Sequence, residues 1–472
     1  MSARFDAFHL PAALGDVGAG PGDGARFRTL DVGGVTCRYP EPGAALIQES
    51  VRRLRTAGER LAERPVADII DAVDAAARRL GDRADPLRHA AEELLPAATG
   101  YSPPMIRLIL DRMTADWRAE RLHRLLECEL GGAGAVDGFL ARSGHPTDRA
   151  AALGPRLAFH VFSGNVPGVA VTSLVRALLV KAPSFGKLAA GEPVLPVLFA
   201  RALAAADAGV GDAVAITYWP GGTPEPERVL LEAADAVVVY GGEGAVASVR
   251  ERLGPGTRLV VHGPKLSIGA VGDGPIEGGL EGVARRAARA VATFDQQGCV
   301  SPHAIWVEGP DTRAAELAEL MAAALDELQV ELPRGALSEA EASAIQQERG
   351  AAEMRAHADP RVRVWTGTGT SWTVVLEPDP ALRPSCLNRF VRVHPVGDLA
   401  RIPGLLATAH EHLQSVALEG AGARDDSLAR TLARAGATRV TTFDRLPWPS
   451  PEAHHDGAGP LTELVRWVDR EV

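Results

Sequence analysis

The chain has 472 residues, 46% of them hydrophobic and 23% charged, and a formal net charge of −10. That length supports two or three domains with sizeable cores, and the balance of apolar and charged residues is that of a soluble globular enzyme, not a disordered chain. The acidic charge and the lack of any basic tract argue against a nucleic-acid partner.

The first residues, Met1-Ser-Ala-Arg-Phe-Asp6, lack the charged lead and apolar run of a signal peptide. The most apolar segments are interrupted by Arg176, Lys181 or Asp235 before reaching the ~20 residues that a membrane span needs. The four cysteines, Cys37, Cys128, Cys299 and Cys386, show no CxxC spacing. Neither a zinc site nor a disulfide framework is expected from them, and a reducing cytoplasm fits best. Gly15 to Gly24 reads as a loose loop.

From Pro42 to Trp117 the pattern is helical, with Leu46, Ile47, Val51, Leu54 and Leu61 at helix spacing. Thr99-Gly-Tyr-Ser-Pro-Pro104 reads as a turn opening a helix. A further helix over Leu122 to Leu130 leads into a hairpin-like piece, Gly131 to Gly154. Beyond Leu157 strands and helices alternate. Strands are predicted at 157–162, 184–189, 213–218, 236–240 and 257–262, with helices at 166–181, 193–206 and 244–253. Such repeated βα units predict a parallel, doubly wound sheet, which binds ligands beyond the carboxyl ends of its strands. A second α/β segment follows: helix 277–292, strand 304–307, helices 312–326 and 338–348, and strands near 362–366, 372–376 and 389–394. A helix at 427–435 and a final helix at 461–468 are predicted in the tail.

Within the second segment, Ala292-Thr-Phe-Asp-Gln-Gln-Gly-Cys299-Val-Ser-Pro-His303 places one cysteine between a helix and a strand. A thiol at such a junction is open to substrate and to backbone N–H donors, and its pKa of ~8.5 can fall into a nucleophile's range in a polar pocket. A half-buried structural cysteine is the alternative reading. The company it keeps is Phe162-Ser-Gly-Asn165-Val-Pro167. Gly242-Glu-Gly244-Ala-Val-Ala247 approximates GxGxxG after a strand and by itself marks only a tight turn.

Together these pieces carry a resemblance. Thr99-Gly-Tyr-Ser102, Ser163-Gly-Asn-Val-Pro167, Ser173-Leu-Val-Arg-Ala-Leu-Leu-Val-Lys181, Asp295-Gln-Gln-Gly-Cys299, Asn388-Arg389 and His455-Asp-Gly457 occur in this order over roughly residues 40–470. The chain resembles the acyl-CoA reductase (LuxC) family of the aldehyde dehydrogenase superfamily. The resemblance implies an α/β fold of two doubly wound lobes, one for cofactor and one for catalysis, with a small oligomerisation arm and a helical N-terminal region. The divisions it suggests are 1–130, the N-terminal helical part of the cofactor domain, and 131–154, the arm. The cofactor domain proper is then 155–262, the catalytic domain 263–440, and a C-terminal packing segment 441–472.

The resemblance also implies roles. Cys299 matches the nucleophile that takes the acyl group, and Asn165 the side-chain amide that holds the oxyanion with the backbone N–H of Cys299. Lys187 matches a lysine on the adenosine ribose. The position where NAD-preferring relatives place a glutamate is Ala190, and the missing carboxylate favours NADPH. Gly241 and Gly242 match the turn under the cofactor, and Ser163 belongs with the cofactor-binding positions. Hydrolytic aldehyde dehydrogenases carry a water-activating glutamate where Val261 stands in Val261-His-Gly-Pro-Lys265. Without that base, thioester reduction is expected over aldehyde oxidation. His262 beside it reads as a polar residue at a strand end or a proton carrier.

The implied substrate is an acyl-CoA or an acyl-carrier protein, and the implied assembly is a homodimer or homotetramer. Acyltransferase or synthetase partner subunits occur in bioluminescent relatives. The rival readings are an acyl-transfer or scaffold subunit without hydride transfer, and a hydrolytic aldehyde dehydrogenase. His454-His455-Asp456 lacks a third ligand at useful spacing, so no metal is expected. Arg389 is expected to be ion-paired or solvated, His303 is a secondary candidate beside the thiol, and Cys37, Cys128 and Cys386 read as packing residues.

Overall fold

The computed structural model describes residues 3–12, 26–142 and 145–471, so the stretch Gly15–Gly24 lies outside the described residues. The chain divides into two units. The first comprises Met1–Thr99, Ile106–Gly263 and Ser450–Val472, and the second Gly100–Met105 and Pro264–Pro449.

The first unit opens with three short strands, β1 (Ala3–Asp6), β2 (Phe27–Val32) and β3 (Val35–Pro40). They form a sheet of order β1-β3-β2 that the sequence pattern did not announce. The helices Ala44–Glu63 and Val66–Gly81 follow as the periodicity predicts. Ile47, Val51 and Leu54, spaced to share one face of the first helix, enter the core of this unit. Next come β4 (Leu140–Arg142) and β5 (His145–Leu153), an antiparallel pair.

The main sheet holds β6 (Ala158–Val161), β7 (Ser184–Lys187), β8 (Val214–Thr217), β9 (Ala236–Tyr240) and β10 (Arg258–His262). All pairings in it are parallel. Its order is β10-β9-β6-β7-β8, so the winding reverses at β6. A reversal of this kind opens a crevice at the carboxyl ends of the strands, where doubly wound sheets take their ligands. Phe159, Phe185, Val237, Val239 and Trp219 fill the core on one face.

The second unit is built on a seven-stranded sheet: β11 (Leu266–Val271), β12 (Pro302–Glu308), β13 (Arg363–Thr366), β14 (Thr373–Leu376), β15 (Phe390–Val396), β16 (Leu413–Glu419) and β17 (Arg439–Thr441). The order is β13-β14-β15-β12-β11-β16-β17. Only β13 runs antiparallel to its neighbour. β11, buried at every position, lies centrally between β12 and β16 and was not expected from the sequence. The helices Gly279–Ala292, Asp311–Glu331 and Glu339–Ala358 accompany this sheet.

The tail corrects one expectation. Residues 461–468 do not form a helix; turns lead into a strand, β18 (Arg466–Arg470). It pairs antiparallel with β5, Val468 opposite Ala151. Backbone pairing with a strand more than 300 residues upstream overrides the helical spacing of Leu461, Leu464, Val465 and Val468.

Candidate active site

The loop that carries Cys299 begins where helix Gly279–Ala292 stops. Phe294, Asp295 and Gln296 all take left-handed backbone conformations, with φ of 57°, 47° and 65°. Outside glycine such a conformation costs ~1–2 kcal/mol per residue and persists only where the surroundings over-determine it. The surroundings come from a second left-handed run, Leu387, Asn388 and Arg389, with φ of 66°, 58° and 64°.

Three sets of contacts tie the two runs together. Arg389 Nε donates to Asp295 Oδ1 at 2.8 Å, and its Nη1 donates to the Leu332 carbonyl at 3.0 Å. Gln296 Nε2 donates to the carbonyls of Pro302 and Phe390, and Gln296 Oε1 accepts from the Phe390 N–H at 2.9 Å. Gln297 Nε2 donates to Asn388 Oδ1 at 3.1 Å. From the other side, the Tyr101 hydroxyl donates to the Phe294 carbonyl at 3.1 Å. The Gln-Gln, Asn-Arg and Gly-Tyr pieces singled out in the sequence therefore meet around one loop.

Cys299 follows this lock and is half-buried. The Ser267 hydroxyl on β11 donates to its carbonyl at 2.8 Å and accepts the Ser415 N–H from β16, fixing the backbone beneath the thiol. His303, on β12, accepts the Ser385 N–H at 3.2 Å through Nδ1. Burial, with the Arg392 charge adding to it, pulls the His303 imidazole down to about 4. It is a neutral packed residue. Cys386 is raised to about 11 by burial, as is Cys37 in the first unit, so neither is an activated thiol. Cys128 is exposed, and the packing role expected for it does not hold.

In the first unit, Ser163 and Asn165 occupy the turn between β6 and helix Val169–Leu179 at the carboxyl end of the sheet. Asn165 is exposed and Ser163 half-buried. This turn packs backbone to backbone on the turn after β7. A Cβ on Gly164 would come within 3.0 Å of Gly191 Cα, so glycine permits the approach. Ala190 beside it is exposed. Gly241 and Gly242 form the turn after β9, and a Cβ at Gly242 or Gly244 would meet nothing within 4 Å. The backbone there is open to a ligand. Cys299 and Asn165 belong to different units, and each is placed only within its own.

Lys187 ends β7, and the fold brings to it a carboxylate that the sequence reading missed. Lys187 Nζ lies 2.8 Å from Glu227 Oε1, and Arg252 Nη1 lies 2.8 Å from Glu227 Oε2. Burial pushes the Glu227 carboxyl up, but hydrogen bonds from Lys187 and Arg252 outweigh it and hold it below its ordinary value. Glu227 stands 40 positions after Lys187, too far for any local spacing to reveal. A doubly wound sheet with an open glycine turn and a cationic end to its second strand fits a dinucleotide cofactor.

Val261, at the position of the expected absent base, is half-buried and packs against the apolar core of its unit. Its neighbour His262 turns the other way. Nδ1 of His262 lies 3.1 Å from Asp456 Oδ2. The imidazole stacks on Tyr240 at 4.4 Å and on His455 at 4.0 Å. His262 is thus the third group near His455 and Asp456 that sequence spacing did not supply, and their ligating atoms lie within 4.8 Å of one another. The two imidazole planes are within 18° of parallel, so their in-plane lone pairs do not converge on one ion. Arg176 also donates to His455 Nδ1 at 3.0 Å. Burial, with the charges of His262 and Arg176, holds His455 down at about 3. The cluster is a stacked, hydrogen-bonded column in which Asp456 orients His262.

A doubly wound sheet with open turns at its carboxyl end, and a separate α/β unit presenting a held cysteine, are the parts of an aldehyde dehydrogenase-like fold. Solved structures agree on the fold. Aldehyde dehydrogenase 21 from Physcomitrella patens matches with a TM-score of 0.76 at 14% identity, over 100% of this chain and 98% of that one. An NADP-dependent glyceraldehyde-3-phosphate dehydrogenase from Bacillus halodurans, solved with NADP, matches with a TM-score of 0.72 at 15% identity, over 94% and 95%.

The profile of the acyl-CoA reductase (LuxC) family matches residues 61–467, and the chain belongs to that family. Among its relatives are long-chain acyl-protein thioester reductases. That of Photobacterium phosphoreum is 26% identical over 79% of this chain and 74% of its own length. That of Aliivibrio fischeri is 27% identical over 79% and 75%. Among the described residues no helix is long and apolar enough to cross a membrane.

Proposed function

We propose that this protein reduces a long-chain acyl thioester, carried on CoA or on a protein, to the aldehyde with NADPH, through a thioacyl intermediate on Cys299. The observation that carries the reading is the held, half-exposed Cys299 thiol. Its loop spends conformational energy in left-handed backbone and is cross-braced by Gln296, Arg389 and Tyr101. Strain kept in this way belongs to sites where geometry must be fixed before reaction.

The Cys299 thiolate attacks the thioester carbonyl, the Cys299 N–H supports the oxyanion, and Asn165 takes the side-chain amide role that the family resemblance gives it. Collapse expels the carrier thiolate, which takes up a proton, and leaves the acyl group on sulfur. Val261 supplies no base, so water is not activated against this intermediate. When bound, the cofactor supplies a hydride to the thioacyl carbonyl. The same donors then hold the second oxyanion, whose collapse returns the thiolate and frees the aldehyde. Lys187, Gly241, Gly242, Ser163 and the open space left by Ala190 serve cofactor binding.

The test is mass spectrometry of the protein incubated with a long-chain acyl-CoA without cofactor. One acyl group added to the peptide carrying Cys299, and absent from Cys299→Ala, is expected. An unmodified protein, or a thioester adduct elsewhere, would overturn the reading.

The same reading includes self-association in a reducing cytoplasm. Phe139, Leu153 and Trp467 are large apolar residues more than 40% exposed, all on or beside the sheet of β4, β5 and β18. A second copy of the chain covering that sheet accounts for them. Trp467→Asp is expected to shift the light-scattering mass toward the monomer, and an unchanged mass would remove this element.

A further inference from the structure

The charges at the end of β7 are arranged unlike a simple ribose site. Glu227 lies in the first turn of helix Pro224–Ala233, and Arg252 just beyond helix Glu243–Arg250. Both reach Lys187. The Glu227 carboxylate is fully engaged: Oε1 accepts from Lys187 Nζ at 2.8 Å and from the Trp219 indole N–H at 3.3 Å, while Oε2 faces Arg252 at 2.8 Å. It has little left to offer a ribose hydroxyl.

The cations differ in this respect. An ammonium has three donors, and Glu227 is the hydrogen-bond acceptor the described residues supply to Lys187. Arg252 is further oriented by donation from Nε to the Ser248 carbonyl and from Nη2 to the Ser248 hydroxyl. Its side chain remains 36% exposed, against 11% for Lys187 and 8% for Glu227. Two cations and one carboxylate leave a net charge of +1, presented outward by Arg252.

In doubly wound sheets the end of the second strand is where the adenosine ribose is read: a free carboxylate there selects the 2′-hydroxyl, and a nearby arginine accepts a 2′-phosphate. β6, β7 and β8 are successive strands running outward from the reversal, so Lys187 holds that position. We propose that Arg252 and Lys187, spaced by the Glu227 carboxylate between them, form a subsite for the 2′-phosphate of an adenine dinucleotide. Glu227 is the positioning residue; Arg252 is the specificity determinant. The inference rests on the cofactor part of the reading above and gives that part named residues. A missing carboxylate at Ala190 does not decide the selectivity, because Glu227 brings one to the same lysine, and Arg252 neutralises it.

The experiment is calorimetric titration of the full chain with the two nucleotide halves, 2′,5′-ADP and 5′-AMP, with no acyl substrate and no turnover. The wild type is expected to bind 2′,5′-ADP at least ~10-fold more tightly, the scale of a charge-assisted hydrogen bond to phosphate. Arg252→Ala is expected to remove that preference while leaving 5′-AMP binding within about twofold, and Arg252→Lys to keep part of it, since lysine meets a phosphate only as a point charge. A far-ultraviolet dichroism spectrum matching the wild type checks that the variants fold. Equal affinity for both halves in the wild type, no binding of either, or an equal loss of both in Arg252→Ala would overturn the proposal. Because Cys299 takes no part, a failed acyl-enzyme experiment alongside selective 2′,5′-ADP binding would remove the thioester chemistry and leave the subsite standing.

Discussion

The guanidinium of Arg389 meets the carboxylate of Asp295 at 2.6 Å, with the two side chains 0% and 6% exposed. The pair joins two left-handed turns 94 residues apart in sequence, and one of these turns leads directly to Cys299. Asp295 Oδ2 in addition accepts the Gly335 N–H at 3.0 Å. The loop's conformation is therefore imposed by tertiary contacts, not by local preference.

Arg389→Met should leave the Asp295 carboxylate buried and unpaired. Breaking one side of a buried pair costs ~3–5 kcal/mol, to be seen as a lower denaturation midpoint in urea. Alkylation of Cys299 by iodoacetamide should change rate under conditions where the variant remains folded. A stability loss with unchanged Cys299 alkylation would mean that the pair braces the unit without setting the thiol.

Tyr101→Phe removes only the hydroxyl that donates to the Phe294 carbonyl. One hydrogen bond of this kind is worth ~1 kcal/mol, so stability should fall by that order. The acyl-enzyme should form more slowly, as followed by quenched-flow mass spectrometry.

Glu192 governs part of the pH dependence. Burial pushes its carboxyl up to about 8, against the lowering effect of the Leu195 and Val194 N–H donors. The folded chain then holds this proton over a range where the unfolded chain has released it. Stability is therefore lost as pH climbs from the unfolded value near 4.5 toward about 8. Glu192→Gln, which keeps an acceptor for the same two N–H groups, should flatten the fall in melting temperature between mildly acidic and mildly alkaline buffer. An identical pH profile in the variant would show that the carboxyl is ionised when folded.

Val261→Glu places a carboxylate at the position where the resemblance to hydrolytic aldehyde dehydrogenases expects their water-activating glutamate. Cofactor-free release of free fatty acid from the acyl-enzyme should rise, measured by chromatography of the products. The melting temperature should fall, since a carboxylate then enters the apolar cluster that holds Val261. No gain in acid release would mean that water is kept out by something other than the missing base.

Much of the fold is readable from local pattern. The strands β6 to β10 are short apolar runs separated by amphipathic helices, and each predicted one is present. β11 escaped because it follows β10 after only three residues, Gly263-Pro264-Lys265, and so reads as an extension of the turn. The strands β1 to β3 escaped because Arg28, Asp31 and Arg38 break up their apolar content. In the site, Cys299 and its motif are visible in the sequence. Tyr101 and Arg389 stand in motifs that the sequence also offers, but their meeting with the Cys299 loop, and the part played by Ser267, are products of sheet order. Glu227 escaped for the same reason, although a buried acid in a first helical turn beside a tryptophan-containing loop was a signal of sorts.

The division of the chain has a consequence for how the molecule is made. Most of the second unit is one continuous stretch, Pro264–Pro449, whereas the first takes its strand β18 and the Asp456 carboxylate from Ser450–Val472. During synthesis the second unit's sheet can close while the first still lacks a strand for β5 and an acceptor for His262. A ribosome that stalls near Pro449 would release a chain whose cysteine loop is already held but whose first unit is unfinished at both places. Completion of the first unit thus depends on translation through Ser450–Val472, the opposite order from the second unit, which is finished before that segment is made.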